Sequence, residues 1–194
     1  MIPISVLFAV KCSEPSDINE HLPLLYALSF SCEGVAEFGI RAGVSTVALV
    51  AGQNARKQLG LPAKYVGYDI NSACAMVIGN LVKHCHPDFV PGCTIADTTK
   101  ELPYLQRCDM LFIDTKHDGP VVEREIITHA NKVNKYIVFH DTTTFGLNGE
   151  TPGETGLLSG IHLGFTDPAV RGEWDLIHQA TNNNGLSVYQ RKSW

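Results

Sequence analysis

Charge is scarce in this chain, and positive charge scarcer still. Charged residues make up 18% of its 194 positions, aromatic residues 8%, and the formal net charge is −5. An acidic chain gains little from a phosphate backbone, which argues against nucleic acid as a partner. No internal repeat, low-complexity tract or block of like charges appears. No apolar run is long enough to span a bilayer. The apolar stretch 1–10 also has no basic flank and no small-residue cleavage site, so neither a membrane anchor nor a signal peptide is expected. That stretch reads as a packed strand or extended segment, and the expected compartment is the cytoplasm. Paired cysteines are missing as well. Cys12, Cys32, Cys74, Cys85, Cys93 and Cys108 include no CxxC and lie in apolar segments. Buried, reduced thiols are expected rather than a disulfide framework. His84, Cys85 and His86 precede Pro87 at a helix end and are not expected to hold a metal.

What is present is alternation. The length suits one domain, 1–194, with an N-terminal strand or helix segment over 1–32. A helix is expected from Ser16, where Ser16 or Asp17 can cap and Glu20 completes a capping box. Strands are expected over 35–40, 64–70, 88–96 (weaker), 109–114 and 136–140, with helices from Gly43, over 72–84 and over 121–133. Repeated strand–helix alternation means βαβ units and a doubly wound, Rossmann-like, mostly parallel sheet. Two further strand-like runs, 174–180 and 186–191, flank Asn184-Gly185, a strong hairpin signal, so the sheet should end in an antiparallel hairpin.

The first strand runs into Glu37-Phe38-Gly39-Ile40-Arg41-Ala42-Gly43-Val44-Ser45. Gly39 permits a sharp turn, Gly43 allows close backbone approach to a ligand, and Ser45 brings a hydroxyl to the first helical turn with its free N–H groups. Glu37 would end the strand with a carboxylate facing the crevice. The spacing is Gly-x-x-x-Gly, not GxGxxG, which argues against a nicotinamide dinucleotide. Asp69 ends the second strand, one βαβ step later, where a carboxylate can accept both ribose hydroxyls of a nucleoside. A purely structural turn at Gly39 and a helix cap at Asp69 are the plain alternatives. Asp97, after the third strand, could reach an adenine amino group or be a turn residue.

A second constellation follows the fourth and fifth strands. Asp114 ends one, with His117 three residues on, and His140-Asp141 end the other. In a doubly wound sheet these strand ends line one crevice. Asp114, His140 and Asp141 form a candidate metal set, in which carboxylates suit Mg or Mn and an imidazole favours Mn, Fe or Zn. His117 titrates near neutrality, as a general base needs, with Asp114 beside it as a second catalytic candidate. The plain alternative for His140 is an ordinary hydrogen bond. His21, His129, His162 and His178 look unremarkable, and Asp118 reads as a helix cap. Residues 142–160 carry five glycines, as a mobile lid would.

From Asp17 to the C-terminus the chain resembles class I S-adenosylmethionine-dependent methyltransferases. Within them it is similar to the cephalosporin hydroxylase-like, rhamnosyl and macrolide-sugar O-methyltransferase group. The resemblance implies the class I methyltransferase fold. It implies that Glu37, Gly39, Gly43 and Ser45 form the motif that holds the cofactor's amino-acid part, with Arg41 in place of that motif's middle glycine. Asp69 would bind the ribose, Asp97 would lie near adenine, and Asp114 would also border the cofactor. It makes Asp114, His140 and Asp141 metal ligands and His117 a base; the better-known metal-dependent members carry Glu-Asp or Asp-Asn where this chain has His140-Asp141. The implied activity is O-methylation of a small hydroxylated acceptor such as a sugar. The chain has no large cap domain, so the acceptor site would come from the N-terminal segment, the 142–160 loop or another subunit of a homo-oligomer. Two competing readings are a nucleoside-binding module without methyl transfer and a nicotinamide-dependent oxidoreductase.

Overall fold

Apolar runs with no internal proline become the middle of a sheet. In the computed structural model, which describes residues 2–192, the strands are β1 Gly34–Phe38, β2 Lys64–Asp69, β3 Gly92–Ile95, β4 Cys108–Ile113, β5 Val133–His140, β6 Trp174–Ala180 and β7 Leu186–Arg191. The helices are α1 Ile4–Ser13, α2 Leu22–Ser31, α3 Val44–Gln58, α4 Ala73–Val82, α5 Gly119–His129 and α6 Leu157–Thr166. The strands form one sheet in the order β3-β2-β1-β4-β5-β7-β6. The first five are parallel, and β7 and β6 run antiparallel. This is the doubly wound sheet with a terminal hairpin that the alternation predicts.

Side chains of the central strands alternate between two cores because a strand's period is two. Val35, Met110, Phe112 and Val138 pack against α1 to α4. Ala36, Phe38, Leu111, Ile113, Ile137 and Phe139 pack against α5 and α6. Every residue of β4 is buried, as both-face coverage requires. The order reverses between β1 and β4, so the C-terminal ends of the parallel strands open a crevice there.

Several boundaries differ from expectation. The stretch 1–10 is not a strand: from Ile4 it is α1, with Ile4 buried and its N–H bonded to the His84 carbonyl at the end of α4. An apolar run this short does not distinguish strand from helix, and both sheet edges are already taken by β3 and β6. The helix expected from Ser16 begins at Leu22, after a 3₁₀ turn over Asn19–His21, because Pro23 suits a first helical turn. The third strand shrinks to four residues, since Pro87 and Pro91 offer no N–H for a ladder. Helix α6 is unanticipated: Gly160 is among the glycines assigned to the 142–160 loop, yet Gly160 and Gly164 let α6 pack closely on α5, where a methyl on Gly164 would lie 2.8 Å from Ile126. The 142–160 loop therefore ends at Gly156. No helix among the described residues is long and apolar enough to cross a membrane.

Candidate functional site

The turn after β1 is built around Gly39, whose φ is +85°. A Cβ there would collide with the Asp114 carbonyl oxygen, so the turn needs both the left-handed backbone and the missing side chain. Two backbone bonds tie it to its neighbours: Gly39 N–H donates to Tyr68 (2.9 Å) and Asp114 N–H donates to Phe38 (2.9 Å). Asp69 then holds the turn's outer limb. Its Oδ2 accepts from the N–H groups of Ile40 (2.7 Å) and Arg41 (3.0 Å), and its Oδ1 accepts from Asn71 N–H (2.7 Å). Arg41 sits at φ +45°, a strained position for a side-chain-bearing residue, and its guanidinium pairs with Asp17 at 2.9 Å.

A cleft of about 500 Å³ opens over this turn. Gly39, Arg41, Asp69, Asp97 and Asp114, all predicted site residues, line it. A carboxylate has about four acceptor sites, so Asp69 can still take ligand hydroxyls while holding the turn. Asp97 is held below the usual carboxylate value, chiefly by the Thr99 hydroxyl.

Three residues assigned to that motif lie elsewhere. Glu37, expected to face the crevice, is fully buried behind it. Its position in β1 directs it toward α3, where it accepts from the Ser45 hydroxyl (2.5 Å) and the Tyr65 hydroxyl. Burial pushes its carboxyl up to about 7, against the pull of those two hydroxyls. Ser45 is thereby committed to Glu37. Gly43 sits at φ +78°, and a side chain there would strike Val77 of α4.

At the end of the cleft Asp114 meets the second constellation. His117 Nε2 lies 2.8 Å from Asp141 Oδ2 and 3.3 Å from Asp114 Oδ1, and its ring stacks on Phe145 with centroids 4.7 Å apart. His140 Nε2 donates to the carbonyls of Asp17 and Asn183, both at 3.1 Å. Two carbonyl acceptors require a proton on Nε2, so the lone pair of a neutral ring sits on Nδ1. That Nδ1 faces Asp141 Oδ2 (3.2 Å) and Asp114 Oδ1 (3.6 Å), and it is buried without a hydrogen-bond partner. Burial disfavours charge on both rings, but the two carboxylates outweigh it and raise their proton affinity above the ordinary histidine range. Asp114 and Asp141 are correspondingly depressed, the histidines overriding the effect of burial. Asp141 adopts φ +60°, a second non-glycine residue in left-handed backbone at a strand end. One ligand atom each from Asp114, His140 and Asp141 falls within a 4.8 Å sphere of mutual distance.

Sequence reasoning missed several neighbours. His21 is buried with its ring 6.0 Å from that of His140. The hydroxyl of Tyr68, which lines the cleft, is buried without a partner. Thr98, Thr115 and Glu125 also line it, and the one available signal was an acid, Glu125, on the apolar face of α5. Asp118 sits at the N-cap position of α5, as expected, but its side chain makes no cap bond and instead anchors the loop by accepting from the Thr151 hydroxyl (2.6 Å) and N–H (2.8 Å). All six cysteines are free thiols.

Comparison with known proteins completes the description. A family model described as a methyltransferase domain matches residues 36–142, more than half of the chain and all of the strand ends described above. No curated protein sequence matches. Among solved structures, the chain is similar to cofactor-bound Rv0187 from MTB (TM-score 0.65, 15% identity, covering 98% of this chain and 90% of that one). It is also similar to the O-methyltransferase TomG from Streptomyces achromogenes in complex with SAM (TM-score 0.63, 15% identity, 93% and 82% covered). A third is the SAH-bound methyltransferase PaMTH1 from Podospora anserina (TM-score 0.60, 13% identity, 98% and 88% covered). At these identities the structures speak for the fold, and the family match, over a sheet wound in methyltransferase order, identifies this chain as a member of the methyltransferase domain family.

Proposed function

We propose that the protein is an S-adenosylmethionine-dependent O-methyltransferase acting on a small hydroxylated molecule such as a sugar, with help from a divalent cation. The observation that carries this reading is continuity. The cleft lined by Asp69 and Asp97 ends at Asp114, and Asp114 belongs equally to the cluster of His117, His140 and Asp141.

In this reading Asp69 accepts the ribose hydroxyls and Asp97 the adenine amine, while Gly39 lets the turn close against the Asp114 carbonyl. Arg41, on the turn, faces the methionyl end. The donor set suits a cation: His140 Nδ1 and Asp141 Oδ1 are both buried without hydrogen-bond partners. The cofactor supplies a methyl group on an activated sulfonium, and a cation on Asp114, His140 and Asp141 would supply Lewis acidity that lowers a substrate hydroxyl's pKa. The protein's remaining tasks are alignment and proton removal. His117, stacked on Phe145, takes the acceptor proton at Nε2. In the ligand-free protein the two carboxylates keep that ring protonated, so it serves as base only when they engage other partners.

The test is calorimetric titration of S-adenosylhomocysteine with and without Mn²⁺, followed by turnover on a panel of sugars and other hydroxylated acceptors. Saturable binding, and methyl transfer that His117→Gln abolishes, are expected. Failure of the wild-type protein to bind S-adenosylhomocysteine under any condition overturns the proposal.

A further inference from the structure

The loop that carries Asp97 closes on itself, with Asp97 Oδ1 accepting from the Thr99 N–H (3.0 Å) and hydroxyl (2.6 Å) and the Asp97 carbonyl from Lys100 N–H (3.1 Å), but few bonds tie it to the rest of the protein. It follows β3, an edge strand of four residues, none fully buried. From the sheet it receives one bond beyond the ladder, Ala96 N–H to the Asp69 carbonyl at 3.0 Å. The ties of residues 96–99 to the other wall of the fold come from one face of α5. Glu125 Oε1 accepts from the Thr98 hydroxyl (2.5 Å), and His129, one turn further, reaches the Thr98 carbonyl through Nε2 (2.8 Å). Glu125 Oε2 accepts in addition from the Thr115 hydroxyl (3.0 Å) in the turn after β4. Glu125 and His129 are both fully buried, and Thr98, Thr115 and Glu125 line the cleft.

We propose that Glu125, seconded by His129, is a positioning residue that fixes residues 96–99 against the turn after β4 and so sets Asp97 for recognition of a 6-aminopurine. The proposal rests on the cofactor reading above. A buried acid on an apolar helix face has a cost that packing alone does not repay. Here that cost goes to joining two loops that line one cleft. Burial lifts the Glu125 carboxyl to about 7, so a glutamine imitates its protonated form: the amide oxygen can accept from one threonine and the amide N–H can donate to the other.

The experiment measures binding of S-adenosylhomocysteine and of S-inosylhomocysteine, which has a carbonyl oxygen in place of the exocyclic amine. Wild type should prefer the adenosyl compound about tenfold, the worth of one hydrogen bond to a charged acceptor. Asp97→Ala should erase that preference, Glu125→Ala and Thr98→Val should cut it to about twofold or less, and Glu125→Gln should keep most of it. Thr98→Val decides the matter if Glu125→Ala does not fold. A wild-type preference that persists in folded Thr98→Val and Glu125→Ala refutes the positioning role. Equal wild-type affinity for both compounds refutes purine reading by Asp97, and with it this proposal. Wild-type binding of neither compound refutes instead the cofactor reading on which it rests.

Discussion

Asp69 is expected to stabilise the protein before any ligand arrives, and Asp69→Ala tests this. The carboxylate accepts three backbone N–H groups, from Ile40, Arg41 and Asn71, at 2.7, 3.0 and 2.7 Å. Arg41 and Asn71 are exposed, so water replaces the lost acceptor there. Ile40 is buried, and its N–H would be left without a partner. Hydrogen bonds to charged groups contribute about 1.5–3 kcal/mol, and an unsatisfied buried donor costs about 1–3 kcal/mol. With two of the three sites discounted for solvent, the expected loss is roughly 2–4 kcal/mol, or about 4–16 °C in Tm for a chain of this length. Asp69→Asn, which keeps one acceptor oxygen, should lose about half as much. Thermal unfolding followed by circular dichroism, without cofactor, reads both. A ligand-free Asp69→Ala melting within about 2 °C of wild type would refute the reasoning, because the turn would then be self-supporting and Asp69 would act on ligand alone.

Gly39→Ala places a methyl group against the Asp114 carbonyl oxygen at φ +85°, and it should cost more than about 3 kcal/mol in urea unfolding. An unchanged midpoint would mean that the turn relaxes freely. Glu37 should make stability depend on pH. Its folded pKa, about 7, lies above its unfolded value, so the folded state favours the proton. Its contribution is complete below about pH 4.5 and is lost as pH rises through about 7. Glu37→Gln should therefore show a smaller fall in urea midpoint between about pH 5 and about pH 8 than wild type, and an equal fall would dismiss Glu37 as the source. Saturating Mn²⁺ should raise the Tm of wild type but not of His140→Ala or Asp141→Asn, since only a folded site binds it. A shift of equal size in all three proteins would place the cation elsewhere.

Most of the sheet was legible because its signals are local. Proline-free apolar runs, Asn184-Gly185 and the acids at strand ends announce β2, β4, β5 and the β6–β7 hairpin within a few residues of their observed limits. Helix α1 was not legible, since four to ten apolar residues suit strand or helix alike and only a vacant neighbour decides. Helix α6 was hidden by glycines whose role is contact with α5, a partner some forty residues earlier.

The candidate site divides along the same line. Local sequence by itself determined that Asp69, Asp97, Asp114 and His140-Asp141 end their strands, because strand limits and turn chemistry follow from short-range dihedral and side-chain preferences. Only the tertiary structure decided which of these groups are free to meet a ligand. Glu37 has the sequence position of a ligand-binding acid, yet it is spent on Ser45 and on Tyr65, 28 residues away. Glu125 carries no local signal of a site beyond its place on the apolar face of α5, yet it joins two loops that line the cleft. A carboxyl group's role depends on which donors packing brings within about 3 Å of it, and those donors come from elements far apart in the chain.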